Sequence, residues 1–210
     1  MRTFIAIDIP EAIKKAIADL QSELKRIGAD AGWTNLKGIH LTLKFLGEID
    51  EALLPEIANC CRAAVADAEL FTLTLDGTGV FPNFRNPRVL WAGLKEETGR
   101  LQALQRRIED ELAVIGFKPE DKPFNPHLTV CRLKSLKKSR ELIARAEMYD
   151  LPAISFEVRD IRVFKSELSP AGAKYTELMK EEITEQAKSY KNAAGLSLRL
   201  LSYFFFFRTG

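Results

Sequence analysis

This chain of 210 residues holds only two histidines, and each opens the same short pattern: His40-Leu41-Thr42-Leu43 and His127-Leu128-Thr129-Val130. Histidine is the side chain whose ordinary pKa lies nearest neutrality, so a pair can divide acid and base duties around pH 7. Both motifs sit in runs that alternate like a strand buried on one face. Residues i and i+2 of a strand share a face. His40 therefore points with Thr42 and His127 with Thr129, while Ile39, Leu41, Leu43, Leu128 and Val130 turn toward a core. Two such strands across a cleft supply two imidazoles and two hydroxyl donors. That set suffices for displacement at phosphorus. One imidazole deprotonates an attacking water, the other protonates the leaving oxygen, and the hydroxyls bond the non-bridging oxygens where charge gathers. No cofactor is called for, and two histidines far apart in sequence, with no carboxylate at ligand spacing, speak against a metal site. A lone strand histidine is usually a satisfied structural residue; two identical copies in a chain with no third histidine are what set this pair apart.

The elements that must carry these motifs are legible in outline. Residues 2–8 read as a first strand, and Pro10 opens a helix to about residue 27 that Gly28 ends. Residues 39–45 form the first motif strand, followed by a helix over about 51–66 and a cleanly alternating strand over 71–75. Residues 77–87, with Gly79, Pro82, Asn83, Asn86 and Pro87, read as a loop. A strand over 88–94 and a helix over 96–115 follow, stopped by Gly116. A loop with Pro119, Pro123 and Pro126 leads to the second motif strand, then a helix over 136–148 and strands near 155–158, 160–167 and 174–178. Strand–helix–strand blocks that recur with hairpins predict an α+β fold of two similar lobes.

Bulk properties bound the partners. A formal net charge of +2, with 46% hydrophobic and 29% charged residues, describes an ordinary globular chain. Any nucleic acid must then be met by a local patch or an end-recognition site, not by a broadly cationic surface. Cys60, Cys61 and Cys131 form neither a chelating pair nor a disulfide framework, and read as buried thiols in a reducing compartment. The amino terminus, MRTFIAIDIPE, lacks the apolar core and cleavage site of a signal peptide. Together these predict a cytoplasmic monomer. Residues 181–195 are polar and helix-prone, and 196–207 form an apolar stretch ending in Phe204–Phe207, well under the ~20 residues of a membrane span. A dispensable tail is the expectation for this segment.

On these residues the chain resembles the two-histidine (2H) phosphoesterases, and among them the bacterial and archaeal RNA 2′,3′-cyclic phosphodiesterases, historically called 2′-5′ RNA ligases. The resemblance is carried by MRTFIAIDIPE, HLTLKFLGEID, FTLTLDGTGVF, PRVLWAGL, FNPHLTVCRL and SELSPAGAKYTEL, and covers about residues 1–178. It implies a bilobal fold over residues 1–180, each lobe with an antiparallel sheet and helices around a central cleft, and sets 181–210 apart as an extension without counterpart. It further implies metal-independent hydrolysis of a 2′,3′-cyclic phosphate at an RNA end to a 2′-phosphate. His40 would be the proton donor, His127 the proton acceptor, and Thr42 and Thr129 would hold the phosphate.

Around the motifs, Phe45 and Arg132 each lie five residues after a motif histidine. They are candidates to stack on a base and to pair with phosphate, yet strict alternation turns both away from the histidine face, so each needs a bulge or a strand end to reach it. Phe81 and Phe84, in the predicted loop, are candidates for an aromatic lid over the terminal nucleotide. Lys134, Lys137 and Lys138 are candidates to attract RNA phosphates, and Trp33 and Trp91 are expected to pack the lobes. Two other functions remain open. One is 2′-5′ ligation by the reverse chemistry, with an RNA hydroxyl in place of water; the other is a non-catalytic RNA-end or nucleotide-binding module, whose binding would survive loss of either histidine.

Overall fold

The computed structural model describes residues 1–169 and 172–184. In chain order the elements are β1 (Arg2–Asp8), α1 (Glu11–Lys25), β2 (Ala31–Trp33), β3 (His40–Glu48), α2 (Leu54–Ala66), β4 (Phe71–Phe81), β5 (Val89–Lys95), α3 (Arg100–Val114), β6 (His127–Leu133), α4 (Ser139–Glu147), β7 (Ser155–Val158), β8 (Asp160–Ser169) and β9 (Gly172–Glu182). The strands pair antiparallel in two sheets, ordered β3-β1-β8-β9 and β2-β6-β5-β4-β7. Each sheet carries one histidine motif, on β3 and on β6.

The two lobes are interlaced, not laid out one after the other. The first sheet takes its strands from both ends of the described chain, the second from its middle. The helices cross over as well. α1 leaves the first sheet, lies against α4, and reaches the second sheet where Gln21 Nε2 donates to the Val130 carbonyl at 3.0 Å. α3 leaves the second sheet and packs with α2 and on β3 of the first. Because each lobe is covered by helices threaded through the other, burial joins them in one continuous core of buried side chains that runs from Ile5 and Leu41 through Leu73 and Leu128 to Ile161.

Several boundaries differ from the sequence expectation for identifiable reasons. β4 continues to Phe81 through the stretch read as a loop. Gly77 supplies a bulge, at φ +57°, where the register with β5 slips between Asp76 and Thr78. Gly79 faces Trp91, whose indole lies where any side chain at position 79 would have to stand. Two loop signals are thus a bulge and a close approach inside a strand. β2 has no alternation to announce it and exists because Ala31–Trp33 pair with Leu133, Arg132 and Cys131 of β6. α3 begins only at Arg100, after a turn in which Glu96 accepts from the Thr98 and Leu101 amides. β9 runs to Glu182, past the expected end at residue 178. Residues 170–171 and the tail beyond residue 184, including Phe204–Phe207, lie outside the described residues. No helix among the described residues is long and apolar enough to cross a membrane.

One charged contact inside this body ties the two motif regions together. Lys44 of β3 is 3% exposed, and its Nζ donates to Glu109 Oε2 of α3 and to the Lys118 carbonyl, each at 2.6 Å. Glu109 also accepts from Gln105 Nε2 and from the Glu120 amide. The first motif strand is thereby fastened to the segment that leads into the second. Removing one partner leaves an uncompensated buried charge, which typically costs ~3–5 kcal/mol, whereas an apolar pair of similar volume is often neutral. Urea unfolding of Lys44→Met is expected to show a loss of about 3 kcal/mol, most of it recovered in Lys44→Met/Glu109→Leu.

Candidate active site

Both motif strands carry the same irregularity at the same place. On β3, Lys44 pairs with Ile5 and Thr42 with Ala6, so Leu43 has no partner. On β6, Cys131 pairs with Leu90 and Thr129 with Trp91, so Val130 has none. Each is a β-bulge three residues after the histidine, and the extra residue reverses the alternation beyond it. Leu43 and Lys44 are both buried, as are Val130 and Cys131. Phe45 and Arg132 therefore come back to the histidine face. Phe45 lies 6.1 Å from the ring of Phe4, which itself stacks on His40, and the charge of Arg132 acts on His127. The Val130 carbonyl, displaced from the ladder, accepts from Gln21 Nε2 and from the Thr34 amide at 3.1 Å.

The two imidazoles are held alike. His40 Nδ1 lies 2.8 Å from the Gly38 carbonyl, and His127 Nδ1 lies 2.8 Å from the Asn125 carbonyl, in each case two residues back along the chain. A carbonyl only accepts, so each Nδ1 carries the proton and each Nε2 is left with its lone pair. The hydroxyls of Thr42 and Thr129 have no partner among the described residues and are free to donate. β3 and β6 touch, and the charge of His127 is felt at His40.

Aromatic rings wall both histidines. His40 stacks on Phe4 at 4.4 Å, meets Tyr175 edge-on at 5.1 Å and has Phe164 at 6.3 Å. His127 meets Phe81 edge-on at 4.9 Å and has Trp91 at 6.3 Å. Glycine makes room on each side: a side chain at Gly38 would press on Tyr175 Cε2 at 2.7 Å, and Gly79 does the same service for Trp91. The burial these rings impose is the main reason both imidazoles resist a proton. His40 is lowered to about 4 by burial, against the opposing pull of the Gly38 carbonyl and the Asp8 carboxylate. His127 is lowered by burial and by Arg132, against the pull of the Asn125 carbonyl. The neighbouring charges differ in sign: an anion stands by His40 and a cation by His127.

The sequence-selected residues are thus mostly gathered here. His40, Thr42 and Phe45 share one strand face, His127, Thr129 and Arg132 the other, and Phe81 closes on His127 from the end of β4. Phe84 stands 59% exposed in the β4–β5 turn and makes no ring contact with either histidine among the described residues. Trp91, expected to pack the lobes, is instead beside His127, while Trp33 sits under the Lys25 ammonium at 5.5 Å. Phe4, Phe164 and Tyr175 were not singled out; they line the site because β1, β8 and β9 pair with β3 in one sheet, a long-range arrangement no local pattern announces. Tyr175 alone had a signal, in the Gly172-Ala173-Lys174-Tyr175 segment. Among the described residues no three His, Cys, Asp or Glu side chains are grouped to hold a metal ion.

Two antiparallel sheets, each carrying a histidine–threonine pair on strands that touch, define a phosphoesterase-like α+β architecture. The model of the 2'-5' RNA ligase superfamily matches residues 9–169, and the chain belongs to that superfamily. It is 38% identical over 175 residues to a protein of Thermotoga maritima named RNA 2',3'-cyclic phosphodiesterase, covering 83% of this chain and 91% of that one. A protein of the same name from Methanocaldococcus jannaschii is 37% identical over 182 residues, covering 86% and 99%. Among solved structures, TT0787 of Thermus thermophilus superposes with a TM-score of 0.73 at 29% identity, covering 87% of this chain and 98% of that one. Escherichia coli LigT with 3'-AMP gives 0.68 at 25%, covering 88% and 98%.

The depressed pKa of His40 links folding to pH. The unfolded chain binds the proton near 6.5 and the folded one only near 4, so this contribution to stability is present above pH 6.5 and is lost as pH falls toward 4. Thermal melting followed from pH 7.5 to 4 is expected to fall less steeply for His40→Gln than for the unaltered chain. Parallel curves would contradict the assignment.

Proposed function

We propose that the chain hydrolyses 2′,3′-cyclic phosphates at RNA ends to 2′-phosphates by paired histidine catalysis without a metal ion. The observation that carries this reading is the doubled half-site: an Nδ1-anchored histidine with a free Nε2, a threonine hydroxyl, and a bulge that returns Phe45 on one side and Arg132 on the other. The names of the Thermotoga and Methanocaldococcus relatives support the same substrate. In this mechanism the Nε2 lone pair of His127 takes a proton from a water attacking phosphorus. The bond from phosphorus to the 3′ oxygen breaks, and that oxygen leaves with the proton from Nε2 of His40. Thr42, Thr129 and Arg132 bond the non-bridging oxygens, and Phe45 stacks on the base. The neighbouring charges support this division of labour: Asp8 favours a protonated His40, Arg132 a neutral His127. Phe81 holds His127 edge-on, and Phe84, in the turn beyond it, is left for the outer side of the nucleotide.

The catalytic unit on this reading is the two-lobed body up to the end of β9. It acts as a monomer, since one chain supplies both half-sites, and in the cytoplasm, where three buried thiols stay reduced. Ligation to a 2′-5′ linkage is the second reading, favoured by the name of the superfamily. It uses the same site with an RNA hydroxyl as the nucleophile.

The direct test is turnover, in EDTA, of a short RNA ending in 2′,3′-cyclic phosphate. The unaltered chain is expected to release the 2′-phosphate, with kcat lowered ~10²–10⁴-fold in His40→Ala and in His127→Ala. Tight binding of the RNA without turnover by any of the three, all folded, would make the site a binding module. The pH dependence offers a second check. With His40 at about 4 in the free chain, kcat/KM is expected to decline from acidic pH toward neutrality. Bound phosphate anion favours the imidazolium, so the descending limb of kcat is expected at higher pH than that of kcat/KM. Coincident limbs would contradict it.

A further inference from the structure

Beyond Arg132, which the proposed hydrolysis uses, the same face continues past the end of β6 with a second cation that hydrolysis of a cyclic phosphate alone does not use. Arg132 pairs with Gly32 of β2 and with Val89 of β5, so side chains at these positions stand on one face. Lys134 follows at i+2 from Arg132. Its amide donates to the Asp30 carbonyl, extending the ladder by one step, and its Cε lies 3.7 Å from where a side chain on Gly32 would begin. Two exposed cations therefore follow one another on this face, with Lys134 lying over a bare position of the edge strand. Neither has a carboxylate within ion-pair distance among the described residues, and Asp30 meets Lys134 through its carbonyl. The neighbouring lysines are placed otherwise: Lys138 Nζ donates to the Ile27 carbonyl at 2.9 Å at the end of α1, and Lys137 stands in the turn before α4. Like charges brought together without counter-charge form a local anion site on a chain of nearly neutral net charge.

We propose, building on the function given above, that Arg132 and Lys134 form a track for the phosphodiester that precedes the terminal nucleotide. The preferred substrate is then the end of an RNA strand, not a free cyclic mononucleotide. The scissile phosphate lies between the histidines, and Arg132 stands at the junction. Successive side chains on one strand face lie ~7 Å apart, which carries Lys134 one step outward along the chain. Gly32 leaves the face open for the backbone to lie on.

The test compares kcat/KM for cytidine 2′,3′-cyclic monophosphate and for a short oligoribonucleotide ending in 2′,3′-cyclic phosphate, over a range of KCl concentrations. The unaltered chain is expected to prefer the oligonucleotide, and the preference should weaken with salt. In Lys134→Ala the ratio of the two constants should fall roughly five- to tenfold and the salt slope for the oligonucleotide should shrink by about 0.7, as loss of one single-strand phosphate contact dictates. A ratio and slope unmoved in both Lys134→Ala and Lys134→Glu would overturn the track while leaving the hydrolase reading intact. Failure of the unaltered chain to turn over either substrate would instead remove the hydrolase reading. Fluorescence polarisation of a labelled oligoribonucleotide would then decide the track alone, with weaker binding to Lys134→Glu upholding it and equal binding refuting it. Inhibition by adenosine triphosphate that Lys134→Ala relieves, with no oligonucleotide preference, would assign the two cations to free polyphosphate and also overturn the track.

Discussion

One unpaired residue in each of two strands, Leu43 and Val130, is what the rest of the site depends on. A regular strand would place Phe45 and Arg132 on the core side and Lys44 and Cys131 in the cleft. The bulge exchanges them. It turns two consecutive residues inward, frees a backbone carbonyl that Gln21 and the Thr34 amide satisfy on β6, and returns the residue five past the histidine to the cleft. The same device serves two chemistries. In the first strand it buries a lysine and presents a phenylalanine; in the second it buries a cysteine and presents an arginine. A symmetric scaffold thus acquires an apolar side and a cationic side, which on the proposed function would suit a nucleotide with a base at one end and phosphate at the other.

Electrostatics is the second constraint. The rings around the histidines raise the cost of a charge, which suits a base that must arrive neutral but opposes an acid that must arrive protonated. Asp8 offsets only part of that cost for His40. On the proposed mechanism the substrate's own negative charge supplies the rest: a phosphate between the imidazoles would stabilise the imidazolium. On this mechanism His40 resists a proton in the free chain and gains one as the phosphate binds. The buried Lys44–Glu109 contact keeps the two halves in register for this, because it joins the strand of one histidine to the approach of the other.

The parts of this structure that local chemistry writes were legible in the residues. Alternation around His40 and His127 gave the strands and the shared faces of histidine and threonine, and Pro10, Gly28 and Gly116 marked helix ends. Parity alone showed that Phe45 and Arg132 need a bulge or a strand end to reach the histidine face, but not which of the two, nor where. What stayed hidden is long-range. The interlacing of the lobes, the edge strand at Ala31–Trp33 and the ring of Phe4, Phe164 and Tyr175 are set by pairing between distant segments. Gly77 and Gly79 misled because a glycine in a loop and a glycine under an indole look the same in sequence. Nothing near Lys44 in the sequence announces Glu109.

The central claim is that two imidazoles share one phosphate. Its most direct test is a nitrogen-15 NMR titration of the two histidines, free and with a nucleoside 2′-phosphate bound. If the claim holds, both rings in the free chain carry their proton on Nδ1 and titrate below 6.5, and the bound phosphate moves His40 upward from about 4 while shifting the Nε2 signals of both. Two histidines that titrate near their ordinary value and do not respond together to the phosphate would contradict it.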